Sequence, residues 1–367
     1  MKKSILTLIG IPAILLTLAG CGNSAANLES SSANSDATSE GAISSGENGE
    51  FVLSTFGLSQ DIVESDVTNP FGANNGYDVL LEVGNAAERL SKVESGASTE
   101  IDAIELSQLQ ADQGASAGLF EAVTEEQVPN IANLSEGAME VYENGAGVPY
   151  TVNSIGIVYD PEVIGHDISE WSELWDAKYA SAISIPDIST TFGPAMLYLA
   201  SDYKGVDITS DNGQAAFEGL TELSPNVMKT YEKSSDLVNM FQAGEIEVAV
   251  VADFAYDLIK ESNPNVEYVV PESGTYANYN TINIPTTAEN KEAAYAYINW
   301  RISQELQSTT AASLNEAPVN STVELSEEVA INKTYGEVAE RAQSIDTKFV
   351  NEQMADWLTK WNETLNK

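Results

Sequence analysis

A single cysteine, Cys21, is the feature that most limits how this chain of 367 residues can fold. A chain with one cysteine forms no intramolecular disulfide, and it offers no set of thiolates to a structural zinc ion. The residues that follow must therefore fold on a hydrophobic core alone. Residues 51–367 are long enough for a large core and for two lobes.

The residues before Cys21 have the pattern of a secretory signal. Two lysines precede an apolar run at 5–18, and Leu-Ala-Gly directly precedes the cysteine. This ending resembles the bacterial lipoprotein signal, which implies lipidation of Cys21, and two acyl chains suffice for stable anchoring. Pro12 and the short apolar run argue against a membrane-spanning helix. We therefore expect residues 1–21 to be a lipoprotein signal that places the protein on the extracytoplasmic face of the cell membrane.

Charge and composition describe the rest of the chain further. Residues 22–50 are rich in serine, glycine and acids and contain no lysine, arginine or aromatic residue, which predicts a disordered tether. The whole chain has 56 acidic against 16 basic residues, a net charge of −40. Because phosphate would be repelled, this balance excludes a general nucleic-acid binder. It also favours cationic over anionic ligands at long range.

Short apolar runs alternate with longer amphipathic segments along residues 51–367. This alternation predicts βα units and mainly parallel sheets, an α/β fold. Strands are predicted at 51–55, 78–83, 101–106, 154–159, 183–186, 248–252, 266–270 and 281–284. Helices are predicted at 86–95, 107–115, 211–223, 234–243, 291–303 and 349–365. The last helix carries an apolar stripe with Trp357 and Trp361, which we expect to dock onto the body.

The residues that carry chemistry show no catalytic pattern. The one histidine, His166, lies in a polar loop, and no serine stands in a G-x-S-x-G sequence. One histidine without a cysteine in the body excludes zinc sites built on these ligands. The phosphate-binding glycine motifs do not occur. We therefore expect no enzyme activity, no metal and no cofactor.

Four stretches resemble the extracellular solute-binding proteins of ABC importers, in particular the spermidine/putrescine-binding family. They are GVPYTVNSIGIVYDP at 147–161, ISIPDISTTFGP at 183–194, the helix and strand at 235–252, and NYNTINIP at 278–285 followed by ENKEAA. Their order and spacing carry the resemblance, because no single stretch is diagnostic. The resemblance implies a two-lobe α/β fold of the periplasmic-binding-protein type (type II), with a ligand cleft between the lobes that closes by hinge motion.

The resemblance also divides the folded part of the chain. It implies lobe 1 at 51–149 and 279–315, lobe 2 at 150–278, and a return to lobe 2 with C-terminal helices at 316–367. It further implies a monomer that captures a small-molecule solute. Its partners would be the membrane permease and ATPase subunits of the importer.

The candidate ligand-binding residues lie where the resemblance brings strand ends and crossings to the cleft. They are Phe56, Asn85, Glu105, Tyr150, Thr190, Thr191, Asp253, Tyr256, Tyr279, Asn280 and Glu316. Carboxylates pair with ammonium groups and aromatic rings attract cations, so the first expectation is an amine or polyamine. Thr190 and Thr191 precede a helix, whose N-terminus would also suit an anionic group.

Two departures from the family leave other ligands open. The return crossing of the spermidine/putrescine-binding group carries Trp and Asp two residues apart, and Asn278 and Asn280 stand there in this chain. Neutral amides cannot supply the same charge pairing. The turn GNAAER at 84–89 is similar to that of relatives that bind iron, thiamine or phosphonates, although the adjacent tyrosines of the iron binders are absent. A phosphonate or thiamine-type ligand, and a sensor or adhesion lipoprotein without transport, remain alternatives.

Overall fold

The computed structural model of the chain describes residues 48–97 and 100–365. Cys21, the signal and nearly all of the expected tether lie outside the described residues. The strands are β1 Glu50–Thr55, β2 Asp78–Val83, β3 Ala103–Ser107, β4 Val148–Tyr159, β5 Ile183–Pro186, β6 Val227–Tyr231, β7 Val248–Ala252, β8 Glu267–Val269, β9 Thr275–Asn283, β10 Ala317–Pro318 and β11 Ala342–Ser344.

Helices connect these strands. They are α1 Gln60–Ile62, α2 Asn69–Asn75, α3 Ala86–Glu94, α4 Gln108–Ser116, α5 Glu136–Glu143, α6 Pro161–Ile164, α7 Gly193–Lys204, α8 Gln214–Leu223, α9 Ser235–Gln242, α10 Tyr256–Ser262, α11 Lys291–Arg301, α12 Gln304–Ser313, α13 Glu327–Ala330, α14 Glu337–Glu340 and α15 Thr347–Leu365. A π-helical turn spans Val63–Thr68, and short 3-10 segments lie at Pro129–Asn133, Trp171–Trp175, Ala177–Tyr179 and Asp253–Ala255.

Two long strands join the two halves of the sheet, whose order is β2-β1-β3-β9-β4-β7-β5-β6. β1 pairs in parallel with β2 and β3, and β5 pairs in parallel with β6 and β7. Residues 148–154 of β4 pair with β9, whereas residues 155–159 pair with β7. We call the half with β1–β3 the first lobe and the half with β5–β7 the second lobe.

The expected predominance of parallel strands holds inside each lobe but not at their junction. β4 pairs antiparallel with β7, β8, β9 and β10, and β3 pairs antiparallel with β9. A chain that crosses between lobes and later returns beside its own outward path runs antiparallel to that path. The prediction of mainly parallel sheets is therefore wrong for the crossing strands.

Each lobe has its own hydrophobic core. In the first lobe, Phe51 of β1 packs with Tyr297 of α11, and both are fully buried. In the second lobe, Ile183 of β5, Leu197 of α7 and Trp357 of α15 are buried in one core. Each large apolar side chain buried in this way stabilises the fold by ~1.5–3 kcal/mol.

The C-terminal helix α15 docks on the second lobe, as its apolar stripe predicts. Trp357 and Trp361 are fully buried in the second-lobe core, whereas Leu358 is 36% exposed. The Nε1 of Trp357 donates to the carbonyl oxygen of Asn212 at 3.1 Å, which ties the helix to the loop before α8. Across the described residues, 48–97 and 100–365, no helix is both long and apolar enough to cross a membrane.

Candidate functional site

The candidate site lies where the carboxyl ends of strands from both lobes approach the crossing. Ser107 at the end of β3 lies opposite Asn280 of β9, which lies opposite Thr151 of β4. Ala252 at the end of β7 lies opposite Ile155 of β4. The two strand ends are thus four residues apart along β4, or about 13 Å. In α/β proteins, ligands bind in the crevice outside the carboxyl ends of the strands.

Three asparagines lie on the crossing strands, and we call Asn153, Asn278 and Asn280 the asparagine row. Asn278 and Asn280 share one face of β9 because side chains alternate along a strand, and Asn153 is the cross-strand partner of Asn278. Asn278 Oδ1 accepts from the Gln108 N–H at 3.2 Å, and its Nδ2 donates to Asn280 Oδ1 at 2.8 Å. Within the described part of the chain, Asn280 Nδ2 and Asn153 Oδ1 have no hydrogen-bond partner. The asparagine row therefore has one hydrogen-bond donor and one acceptor that a ligand could use.

Asp253 follows β7 and joins β4 to the segment around Thr334. Its Oδ1 accepts from Asn153 Nδ2 at 3.2 Å and from the Phe254 N–H at 2.8 Å. Its Oδ2 accepts from the N–H and the hydroxyl of Thr334, at 2.9 and 2.6 Å. The residue is 1% exposed, and burial raises its pKa to about 6 even though these hydrogen bonds lower it. Protein donors therefore occupy both oxygens of this predicted ligand residue.

The loop after β5 carries a further carboxylate, Asp187, at the carboxyl end of that strand and beside Thr230 of β6. Its Oδ1 accepts from the N–H and the hydroxyl of Ser189 at 3.0 and 2.7 Å, which forms an Asx turn. A Cβ at Gly193 would lie 2.1 Å from the Asp187 carbonyl oxygen, so glycine is required at the start of α7. The predicted residues Thr190 and Thr191 are half-buried in this loop, and Thr190 Oγ1 donates to the Asp187 carbonyl oxygen at 2.7 Å.

Three other predicted residues surround one arginine, Arg301, inside the first lobe. Glu316 binds Arg301 with both carboxylate oxygens, at 2.9 and 2.5 Å, and Glu105 Oε1 lies 3.4 Å from Arg301 Nε. The Tyr150 ring lies 4.2 Å from the guanidinium, and Tyr297 donates to Glu105 at 2.8 Å. Burial lowers the pKa of Arg301, but Glu316 and Glu105 raise it well above its ordinary value. Both carboxylates are therefore paired with the same guanidinium inside the protein.

A second arginine, Arg89, holds the strand ends of the first lobe together. It donates to the carbonyl oxygens of Gly84, which follows β2, Ser54 near the end of β1, and Glu105 in β3. Burial lowers its pKa to about 10. The predicted residue Phe56 is half-buried, and its ring centroid lies 4.5 Å from this guanidinium.

The remaining predicted residues have structural neighbours of their own. Asn85 is exposed and caps α3, because its Oδ1 accepts from the Glu88 N–H at 2.8 Å. Tyr256 is buried in the second lobe and donates to the Val266 carbonyl oxygen at 3.3 Å. Tyr279 alternates with the asparagine row along β9, and its hydroxyl lies against Gly137 of α5. Of the predicted residues, Tyr150, Tyr279 and Asn280 thus lie on the crossing strands and Asp253 bonds to one of them, whereas Thr190 and Thr191 lie in the loop after β5.

Sequence reasoning did not nominate Asn153, Asn278 or Asp187 as ligand-binding residues. Asn153 and Asp187 lie within the family-like stretches at 147–161 and 183–194. Asp187 also directly follows a short apolar strand, the position where polar groups meet a cleft. The alternating Asn-Tyr-Asn pattern on a strand that must cross between lobes was the corresponding signal for Asn278.

Comparison with known proteins agrees with this architecture. A family model described as bacterial extracellular solute-binding protein matches residues 66–336. The chain is 23% identical over 252 residues to spermidine/putrescine-binding periplasmic protein 1 of Haemophilus influenzae, covering 67% of this chain and 69% of the relative. It is 24% identical over 273 residues to a putrescine-binding periplasmic protein of Pseudomonas aeruginosa, covering 67% and 72%.

A solved structure of an ABC transporter protein from Clostridium perfringens is 46% identical, with a TM-score of 0.76. The match covers 86% of this chain and 100% of that chain. It confirms the predicted two-lobe α/β fold. Proteins of this family bind solutes for ABC importers and are not enzymes, as the sequence predicts. The chain belongs to the bacterial extracellular solute-binding proteins.

Proposed function

We propose that this protein is a lipid-anchored receptor that captures a small amine in the cleft between its lobes and delivers it to a membrane permease. The observation that supports an amine ligand is that the protein itself binds its arginine side chains. The chain has three arginines. Recognition of a carboxylate, phosphate or phosphonate commonly relies on the bidentate fork of an arginine.

Each arginine is already bound to protein acceptors. Arg89 is fully buried and donates to three backbone carbonyl oxygens. Arg301 is 3% exposed and lies between two carboxylates. Arg341 donates to the carbonyl oxygens of Val270 and Glu337, at 3.1 and 3.5 Å. Arg89 Nη2 and Arg341 Nε have no acceptor within the described residues, but both atoms are buried, so neither arginine presents a free bidentate fork to an anionic ligand. This favours an amine over a phosphonate.

A positively charged amine would find acceptors on two sides of the cleft. In the second lobe, Asp187 Oδ2 has one distant partner, Thr230 Oγ1 at 3.4 Å, so it can accept a charge-assisted hydrogen bond. On the crossing strands, Asn153 Oδ1 offers a neutral acceptor and Asn280 Nδ2 a donor for a second polar group. The relatives from H. influenzae and P. aeruginosa are named for spermidine and putrescine, which are amines.

We infer that the lobes close about the crossing segments. We place two crossings at the strand segments 149–155 and 277–280 and the third after Val323. Residues before it belong with the first lobe, because Ala317 pairs with Val152 and Val319 lies in the first-lobe core. Asp253 bonds to β4 and to the third crossing, so closure would turn about this carboxylate.

The anchor and the monomeric state are further parts of the proposal. Leu-Ala-Gly before Cys21 supports lipidation, and the serine- and glycine-rich segment that follows would let the receptor reach a permease in the same membrane. A ligand enclosed between two lobes of one chain requires no second copy.

A ligand screen tests the amine. Purified protein is heated with putrescine, spermidine, a phosphonate and thiamine, because a specific ligand raises the melting temperature by mass action. Calorimetry then compares Asp187→Asn with Asp207→Asn, a matched loss of one charge at an exposed loop. We expect Asp187→Asn to weaken amine binding by ~1.5–3 kcal/mol and Asp207→Asn to leave it unchanged. Stabilisation by the phosphonate alone would contradict the proposal.

A further inference from the structure

A cavity in the second lobe is lined by residues other than those assigned to the cleft, and Tyr276 of its wall lies two residues before Asn278 on β9. It has a volume of about 360 Å³, and its wall includes Glu170, Trp171, Trp175, Asp202, Tyr203 and Tyr276. Asp202 and Tyr203 lie near the end of α7, whereas Gly193, at the cleft edge, begins this helix. The ten residues between Gly193 and Tyr203 span ~15 Å of helix. The cavity and the cleft are thus at opposite ends of α7.

Aromatic rings form a large part of the wall. Trp175 and Tyr203 stack at 4.3 Å with an interplanar angle of 8°. Trp171 and Tyr276 are almost fully buried, at 7% and 6% exposure, so their rings are held in place. Fixed aromatic faces attract cations and bury the methylene groups of a ligand.

The hydrogen-bond donors of three of these rings already have acceptors within the protein. Trp171 Nε1 donates to the Gly274 carbonyl oxygen at 2.8 Å, and Trp175 Nε1 donates to the Gly219 carbonyl oxygen at 2.8 Å. The Tyr276 hydroxyl donates to Asp202 Oδ2 at 2.7 Å. These three donors are therefore not available to a ligand, which would contact the rings through their carbon atoms.

The charge of the wall has one sign. Asp202 and Glu170 are acidic, and none of the described lysines or arginines lines the cavity. Glu170 precedes the 3-10 segment that begins at Trp171, and its backbone N–H donates to Glu173 Oε1 at 3.2 Å. Asp202 Oδ1 has no hydrogen-bond partner in the part of the chain that the structure describes, so it remains as an acceptor.

We propose that this cavity is a second binding site, for a free alkylammonium ion whose ammonium group binds Asp202 and whose carbon chain lies against the aromatic wall. The volume is within the range of small-molecule sites. A neutral ligand of the same length would lose the charge-assisted hydrogen bond and the cation–π attraction, and an anion would meet two carboxylates. This site is independent of the solute that the cleft binds.

Fluorine NMR of the full chain labelled with 5-fluorotryptophan tests the site, with n-butylammonium as the probe. The protein has five tryptophans. We expect the resonances of Trp171 and Trp175 to shift until saturation, while Trp300, Trp357 and Trp361 serve as internal controls. The same concentrations of 1-butanol and butyrate should leave all five unshifted. Equal shifts with butanol and butylammonium, or no shift at Trp171 and Trp175, would overturn the proposal.

Variants identify the residues that bind the probe. Asp202→Asn should raise the dissociation constant of butylammonium at least about tenfold, because it removes the charge. Tyr203→Leu changes the aromatic wall without touching Asp202 and should also weaken binding. Asp207→Asn is the matched control and should leave binding unchanged. Unchanged binding in both Asp202→Asn and Tyr203→Leu would refute the site.

The cleft variant Asp187→Asn separates this site from the proposed receptor function. It should leave the shifts of Trp171 and Trp175 intact while it weakens binding in the cleft. Loss of both would show that the probe reports on the cleft and that no separate site exists. If no amine binds in the cleft but the resonances of Trp171 and Trp175 still shift, only the proposed receptor function is contradicted.

Discussion

Replacing Asp253 by asparagine should remove a pH-dependent part of the stability of this protein. The carboxylate is 1% exposed, and burial raises its pKa from 3.8 to about 6. Because the folded form holds the proton more tightly than the unfolded form, Asp253 stabilises the fold fully below pH ~3.8. That contribution is lost as the pH rises through 6. A shift of about two pKa units corresponds to ~3 kcal/mol.

Urea denaturation at several pH values measures this effect. The free energy of unfolding of the wild type, minus that of Asp253→Asn, should fall by ~3 kcal/mol between about pH 3.5 and pH 7. Taking the difference cancels the pH dependence that the other carboxylates give to both proteins. A difference that stays constant over this range would refute the assignment of a buried, desolvated carboxylate to the junction of the lobes.

An exposed aspartate supplies a control of opposite sign. Hydrogen bonds from the hydroxyl and the N–H of Thr209 lower the pKa of Asp207. Its contribution is therefore present above the unfolded pKa and lost as the pH falls. The difference between wild type and Asp207→Asn should rise with pH, whereas that for Asp253→Asn should fall.

Three further predictions concern the anchor, the first lobe and the cleft edge. Cys21→Ser should release the protein from the membrane or leave the signal uncleaved; unchanged lipid labelling and membrane fractionation would contradict the anchor. Arg301→Leu leaves Glu105 and Glu316 without their partner and should cost ~3–5 kcal/mol in urea denaturation, and a loss below about 1 kcal/mol would mean that water compensates them. Gly193→Ala has no space for its Cβ, so it should lower the melting temperature and weaken ligand binding; a variant equal to the wild type in both would show that the β5–α7 loop adapts.

Short apolar runs allowed several strands to be predicted from the sequence. The bounds predicted for 78–83, 183–186 and 248–252 are those of β2, β5 and β7. β9 was predicted only over 281–284, although it begins at Thr275. Its first half, TYANYN, is polar because this part of the strand crosses between the lobes. The polar residues of the crossing segment therefore lack the apolar pattern by which a strand is predicted.

The position of the cleft could be predicted from strand ends, but the partners of individual side chains could not. Glu105 and Arg301 are 196 positions apart and meet only because α11 packs on β3. Arg301 also binds Glu316, 15 positions away, so two of the predicted carboxylates pair with this arginine. Asn153 and Asn278 carry no charge, so no electrostatic pattern in the sequence distinguishes them from structural asparagines.

A crystal structure of the protein with the amine identified by the ligand screen tests the central claim most directly. We expect the ligand to lie between the lobes, with an ammonium nitrogen ~2.7–2.9 Å from the Asp187 carboxylate and a polar contact to Asn153 or Asn280. The second lobe should have turned toward the first about the crossing strands. A ligand bound outside the cleft, or an anionic group of the ligand at Asp187, would contradict the account.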